Sequence, residues 1–390
     1  MRRTEGNHCS AQPPETYRNL RQSEGPLIKL DRIHSFGPLR LISCGLVFFA
    51  HDLFHSPLTQ YLERHIHCGQ LGVDIFFVLS GFLITRILLA DKANGSPWHY
   101  FVARRSLRIF PAWFLLLITM SLLLPWLCKV RPDVWTGPVH WSIWTYTYNY
   151  VALILPIDRI DGAKLNHLWS LCVEEHFYMV WPIIVYALPR RQSRKILLTA
   201  VPVVVIGSVY YYVHRSDFWG FDLATNVRCV SLAIGSLMAY HEGWCRSRSA
   251  QSAAGAAIFF GLMLTADSSP TLTTQVLVMD VLLSTGITLL FLATIEPLTV
   301  TRWFSWMRHK HLDALGAMTY GMYLYHATVF QWFKVETTGI GHSLMAIIAV
   351  LAIATISYTV VERPFNSLGR YFRVSPRANP VPVTPALVTN

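Results

Sequence analysis

His51, Asp74, His167, Glu174, Glu175 and His326 are ionisable side chains set inside long apolar stretches. A charge in the core of a bilayer costs on the order of 3 kcal/mol or more, so such groups are retained where they serve a site. An imidazole takes and gives protons near neutral pH, and a carboxylate beside it fixes its orientation. A second set, Arg40, Arg104, Arg105 and Arg108, presents guanidinium groups, whose planar forks suit bidentate contact with phosphate. Arg104 and Arg108 are four residues apart and share a helix face. Glu174 and Glu175 are adjacent, so on a helix they point about 100° apart and cannot both face one cavity. Plainer roles exist for each. A membrane histidine can join two helices by a hydrogen bond, Tyr320 and Tyr323 stand near enough in sequence to satisfy His326, Asp74 can pair with an arginine, and basic residues can serve orientation alone.

The elements that carry these residues are apolar. Of 390 residues, 53% are hydrophobic and only 14% charged, against about a quarter charged in soluble domains. The net charge of +11 does not point to nucleic acid, because the Lys and Arg lie in short clusters between apolar runs, the pattern that orients membrane helices. A span needs roughly 20 apolar residues, and candidate spans fall at 36–55, 71–90, 107–127, 169–188, 196–214, 225–241, 252–266, 275–295, 314–333 and 342–361. The aromatic and polar stretch 135–156 is read as an interfacial or re-entrant segment. Both tails and every second loop are basic, for example Arg190, Arg191, Arg194 and Lys195, while the alternate loops are poor or balanced in charge. The expectation is an all-α, polytopic transmembrane bundle of about ten spans with both termini cytoplasmic. Residues 1–35 form a polar N-terminal tail rather than a cleavable signal peptide, 36–366 the transmembrane domain, and 367–390 a cytoplasmic C-terminal tail.

This topology gives the residues depth. His51 lies eleven positions beyond Arg40, about 16 Å along a helix. His51, Asp74, Glu174, Glu175 and His326 fall in the outer half of the membrane, and Arg40, Arg86, Arg104, Arg105 and Arg108 at the inner ends of the spans. An anionic ligand entering from the cytoplasm and an acid–base site deeper in would have this segregation. The seven cysteines contain no Cys-x-x-Cys pair and no metal-ligand spacing, and no metal is expected. Cys68 and Cys128 fall in loops placed outside and Cys245 in one placed inside, so impermeant thiol reagents should separate them.

Several motifs in order resemble those of the acyltransferase type 3 family of integral membrane proteins. Arg40 and His51 are similar to its Arg-x10-His feature. Gly72-Val73-Asp74-Ile75-Phe76-Phe77-Val78-Leu79-Ser80-Gly81-Phe82 resembles its second-helix signature, and Arg105-Ser106-Leu107-Arg108-Ile109-Phe110-Pro111 its Arg-x-x-Arg-Ile-x-Pro element. Trp169-Ser170-Leu171-Cys172-Val173-Glu174-Glu175-His176-Phe177-Tyr178, Tyr320-Gly321-Met322-Tyr323-Leu324-Tyr325-His326 and Val361-Glu362-Arg363-Pro364-Phe365 resemble three later landmarks. The sequence departs at Phe36-Gly37-Pro38, where Leu-Asp-Gly is usual, and at His176, where glutamine is usual. The resemblance implies a bacterial inner-membrane enzyme that transfers an acyl group, acetyl foremost, from acyl-CoA to a hydroxyl of a glycan, glycolipid or macrolide. In that reading His51 is the general base, oriented by Glu174, Glu175 or Asp74. Arg40, Arg105 and Arg108, with Arg104, hold the donor's phosphates, and Ser80-Gly81 permits close helix approach. The rival class is a proton-coupled transporter or flippase using the same buried groups. Against it, no inverted repeat is visible. Oligomeric state and acceptor identity are left open.

Overall fold

The computed structural model describes residues 30–51, 67–123, 137–152, 165–214, 225–247, 251, 282–333 and 340–373. All regular elements among the described residues are helical: α1 (Phe36–Ala50), α2 (Cys68–Ala93), α3 (Trp98–Ile118), α4 (Gly137–Trp144), α5 (Tyr148–Val151), α6 (Leu168–Ala187), α7 (Arg190–His214), α8 (Thr225–Tyr240), α9 (Glu242–Ser247), α10 (Leu282–Leu298), α11 (Lys310–Trp332), α12 (Ile340–Ser357) and α13 (Arg363–Leu368). A wider helical turn at Tyr358–Glu362 joins α12 to α13.

Helix α2 is the centre of the bundle, packed on α8 and α1, with α6 and α3 on its remaining side. Two glycines set the α2–α8 distance. A Cβ at Gly81 would lie 1.9 Å from the Leu232 carbonyl oxygen, and one at Gly235 would lie 2.0 Å from that of Val78. The two backbones therefore touch, as small residues permit between membrane helices. Gly81→Val is expected to cost about 3 kcal/mol or more by overpacking, read as a lowered unfolding temperature of the detergent-purified protein. An unchanged midpoint would contradict the contact. A similar crossing brings α11 to α1, where a Cβ on Gly316 would meet the Gly37 Cα at 2.8 Å. The Phe36-Gly37-Pro38 departure thus falls on a packing contact.

Side chains elsewhere satisfy helix ends that lack local caps. The Glu296 carboxylate accepts from the backbone N–H of His34 (3.0 Å) and Ser35 (2.7 Å), orphan donors at the start of α1. Lys92 Nζ donates to the carbonyls of Val185 and Leu188 at 2.7 and 2.8 Å, closing the C-terminus of α6.

The polarity of the bundle is inverted relative to a soluble protein. Asp74, Glu175, Arg228, His326 and Glu362 are buried, whereas Val203, Ile206, Ile348 and Val360 are each at least 65% exposed. By length and apolarity, two described helical stretches qualify as membrane spans, Cys68–Ala93 and Gly341–Phe372, with mean hydropathies of 2.1 and 2.4. This is fewer than the ten expected. Phe36–Ala50, Arg228–Tyr240 and Leu282–Leu298 are apolar but shorter, and α3 holds three arginines in its sequence. The span expected at 36–55 is described as helix only to Ala50, with His51 at its C-terminal cap. The span at 252–266 lies outside the described residues. The aromatic stretch forms α4 and α5, of eight and four residues. At about 1.5 Å per residue, neither could cross a ~30 Å core. At the other end, the chain stays helical to Phe372, whose carbonyl accepts a hydrogen bond from Arg104.

Candidate active site

Five helices line one cavity. Each contributes residues at helical spacing: Val73, Phe76, Phe77 and Ser80 from α2, Ser170, Leu171, Glu174 and Tyr178 from α6, Thr319, Tyr320 and Tyr323 from α11, Arg105, Arg108 and Ile109 from α3, and Arg40 from α1. Spacings of three and four residues put each set on one helix face.

One end of the cavity is cationic. Arg40, Arg105 and Arg108 lie close enough to repel one another. Among the described residues, none of the three is within salt-bridge distance of a carboxylate. Arg105 is held by ring faces instead, 5.2 Å from the centroid of Tyr178 and 5.8 Å from that of Phe101. Arg104 is not brought to the cavity. It pairs with Asp91. The reason is angular: at about 100° per residue, Arg108 lies between Arg104 and Arg105 around α3. The cavity face is then fixed on the Arg105 side by Ile109. Of the i, i+4 pair, Arg108 lines the cavity and Arg104 does not.

The carboxylates separate as adjacent helical residues must. Glu174 enters the cavity, where its Oε1 accepts from Ser80 Oγ at 2.7 Å, and Tyr178 donates to that same Oγ at 3.2 Å. It stands on the arginine side, within electrostatic reach of Arg105 and Arg108. Glu175 does not line the cavity, and its buried Oε1 has no hydrogen-bond partner among the described residues. Asp74 accepts from Ser231 Oγ at 2.7 Å and pairs with Arg228 at 3.3 Å, the arginine pairing weighed for it from sequence. Arg228, 154 residues from Asp74, was not singled out as its partner, because sequence carries no pairing between helices. Arg228 also bonds Gln70 and lies 5.3 Å from the Trp169 ring centroid.

At the opposite end from the arginines, Tyr323 borders a histidine cluster. His326 Nε2 lies 3.2 Å from His51 Nε2, although 275 residues separate them. The His326 and His167 ring centroids are 4.8 Å apart. His51 thus meets a histidine, while two of the carboxylates expected to orient it, Asp74 and Glu174, make the bonds given above. His326 is held by the backbone of Tyr323 rather than by a tyrosine hydroxyl. Its Nδ1 lies 2.5 Å from the Tyr323 carbonyl oxygen. A carbonyl only accepts, so His326 Nδ1 carries a proton and donates it. With both rings neutral, His326 Nε2 then accepts from His51 Nε2–H. Phe48 stacks on His326 with centroids 5.4 Å apart. Among the described residues, no group of three or more His, Cys, Asp or Glu side chains is placed to hold a metal ion.

Comparison with known proteins agrees with the motifs. The family described as "Acyltransferase domain" matches residues 34–362. The peptidoglycan O-acetyltransferase OatA of Listeria monocytogenes is 26% identical over 337 residues, 78% of this chain and 53% of its own length. YrhL of Bacillus subtilis is 26% identical over 353 residues, 80% of this chain and 53% of its own. A Staphylococcus aureus relative is 31% identical over 184 residues, 44% of this chain and 30% of its own. The chain therefore spans about half the length of the first two. No solved structure matches it significantly. From Arg40 to the turn at Glu362, the residues that build the cavity and the histidine cluster lie within the matched segment, and the chain belongs to this acyltransferase family.

Proposed function

We propose that the chain is a multi-pass membrane O-acyltransferase that moves an acyl group, acetyl foremost, from cytoplasmic acyl-CoA to a hydroxyl of a cell-envelope glycan. One observation carries the reading. Three guanidinium groups, none within salt-bridge distance of a carboxylate among the described residues, converge on a cavity whose far wall, Tyr323, bonds through its backbone to His326 of the His51–His326 pair. Arg40, Arg105 and Arg108 hold the donor's phosphates, and the thioester extends along the cavity toward Tyr323. His51 Nδ1 takes the proton of the acceptor hydroxyl as its oxygen attacks the thioester carbonyl. The C–S bond breaks, and the thiolate of coenzyme A receives a proton. His326, 3.2 Å away, positions the His51 ring and shares the charge that develops. The relative's name, peptidoglycan O-acetyltransferase, supports a glycan acceptor. Family membership favours a transferase over a carrier. Transfer of label from acetyl-CoA to a cell-wall glycan by the purified protein tests the proposal, and acceptor movement without acylation would replace it with the transporter reading.

The membrane topology belongs to the same proposal: about ten spans with both termini cytoplasmic, supported by the apolar outer faces and alternating loop charge. The native cysteines cannot report it, since Cys68 and Cys245 are buried. With Cys9 and Cys128 replaced by serine, a cysteine at Trp141 (68% exposed) should label from outside intact cells, and one at Trp303 (84% exposed) should not. The reverse pattern would put the arginine end of the cavity on the outside, away from cytoplasmic coenzyme A.

A further inference from the structure

We propose that Phe76, braced by Tyr323, is the residue that limits the donor to a short acyl chain. The inference rests on the donor reading above and adds what sets the length of the acyl group. The cavity has a direction. Along α2 its lining runs from Leu83 to Val73, ten residues, or about 15 Å at the helical rise. The arginines line one end, and Phe76, Ser170 and Tyr323 line the end next to the histidines. A donor held by its phosphates at the arginines therefore presents its acyl group to Phe76 and Tyr323.

This end wall is stiff for three independent reasons. The Tyr323 hydroxyl is bonded to Ser170 Oγ at 2.6 Å and donates to the His167 carbonyl at 3.1 Å, so the ring cannot swing without losing two hydrogen bonds. Phe76 meets that fixed ring edge to face, with centroids 6.2 Å apart, and the neighbouring Phe77 is wedged likewise against Trp169 at 6.2 Å. Finally, α2 cannot recede, because its backbone at Gly81 is already in contact with α8. Well-packed walls of this kind do not yield to an added methylene without strain. Of the two phenylalanines that line the cavity, Phe76 is the one against the Tyr323 ring and the less buried, and it makes no hydrogen bond, so shortening it lengthens the acyl end while leaving the Tyr323–Ser170 bonds in place.

The test compares acetyl-, butyryl- and hexanoyl-CoA as competing donors, or as competing ligands, for the full chain in nanodiscs. It is repeated for Phe76→Ala and for the milder Phe76→Leu. The readout is the ratio of hexanoyl to acetyl use within each preparation, which a partly misfolded fraction does not change. The wild type is expected to prefer acetyl by about tenfold or more, the discrimination that misplaced methylenes produce in an apolar pocket. Phe76→Ala should bring that preference below about threefold, with Phe76→Leu between them. A wild type that accepts hexanoyl as readily as acetyl, or a Phe76→Ala ratio equal to that of the wild type, overturns the inference and leaves the donor reading standing. Failure of the wild type to bind any acyl-CoA or coenzyme A itself overturns the donor reading, and the inference falls with it.

Discussion

Replacing His51 with alanine is expected to lower acyl transfer by about 10²–10⁴-fold, the contribution of a positioned general base, while membrane insertion and donor binding persist. The expectation follows from geometry rather than from the residue type. His51 closes α1, its Nε2 lies 3.2 Å from His326 Nε2, and His326 Nδ1 is committed to the Tyr323 carbonyl. That chain of bonds orients the His51 ring through His326. It also distinguishes the two histidines. His326→Ala removes the group that positions the base, so it should lower turnover less than His51→Ala and leave the Michaelis constant for the donor in place. Single-turnover assays on purified variants read both effects. Wild-type turnover in His51→Ala would remove the imidazole from the mechanism. Equal losses in the two variants would mean that the pair acts as one unit.

The second large effect lies at the other end of the cavity. Arg105→Ala and Arg108→Ala should each weaken the donor by about 1.5–3 kcal/mol, the worth of a hydrogen bond to a charged group, which is about tenfold to a hundredfold in the Michaelis constant for acyl-CoA. The acceptor's constant should stay nearly constant. Lysine at position 105 is expected to restore only part, because its point charge lacks the planar fork that stacks on Tyr178 and Phe101. Arg104→Ala supplies the contrast. Its partners are Asp91 and the Phe372 carbonyl, so its loss should appear as lowered stability with the donor constant little changed. Equal donor effects at 104 and 105 would mean that the cavity face of α3 is assigned wrongly.

Which parts of this site were legible follows from the kind of information each part needs. Spacing along one helix is written in the sequence, so the split of Glu174 from Glu175 and the close approach at Gly81 could be read from periodicity and residue size. Pairing between helices is not. Nothing near Asp74 in the chain indicates Arg228, 154 residues later. Nothing near His51 indicates that a histidine rather than a carboxylate meets its ring. The place of Arg104 is an intermediate case. Arg104, Arg105 and Arg108 span about 100° of α3, and the sequence does not say which edge of that arc faces the cavity. The membrane itself was legible as a deficit of charge. Individual spans were blurred where site residues interrupt the apolar run, since the groups needed for chemistry lower the hydropathy of the helices that carry them.

The Asp74–Arg228 pair also constrains how the protein is made. The ribosome emits about 5–20 residues per second, so the 154 residues between the two partners take roughly 8–30 seconds to appear. Throughout that interval α2 is already synthesised and α8 is not. A helix with an aspartate near its start cannot be released into lipid before the guanidinium that neutralises it arrives, except at the cost of a buried charge. In the proposed topology, its exit from the insertion machinery would wait for the emergence of α8. Chains cut short between the two helices should then remain with that machinery or be degraded, so this one ion pair would time the making of the bundle as well as brace it.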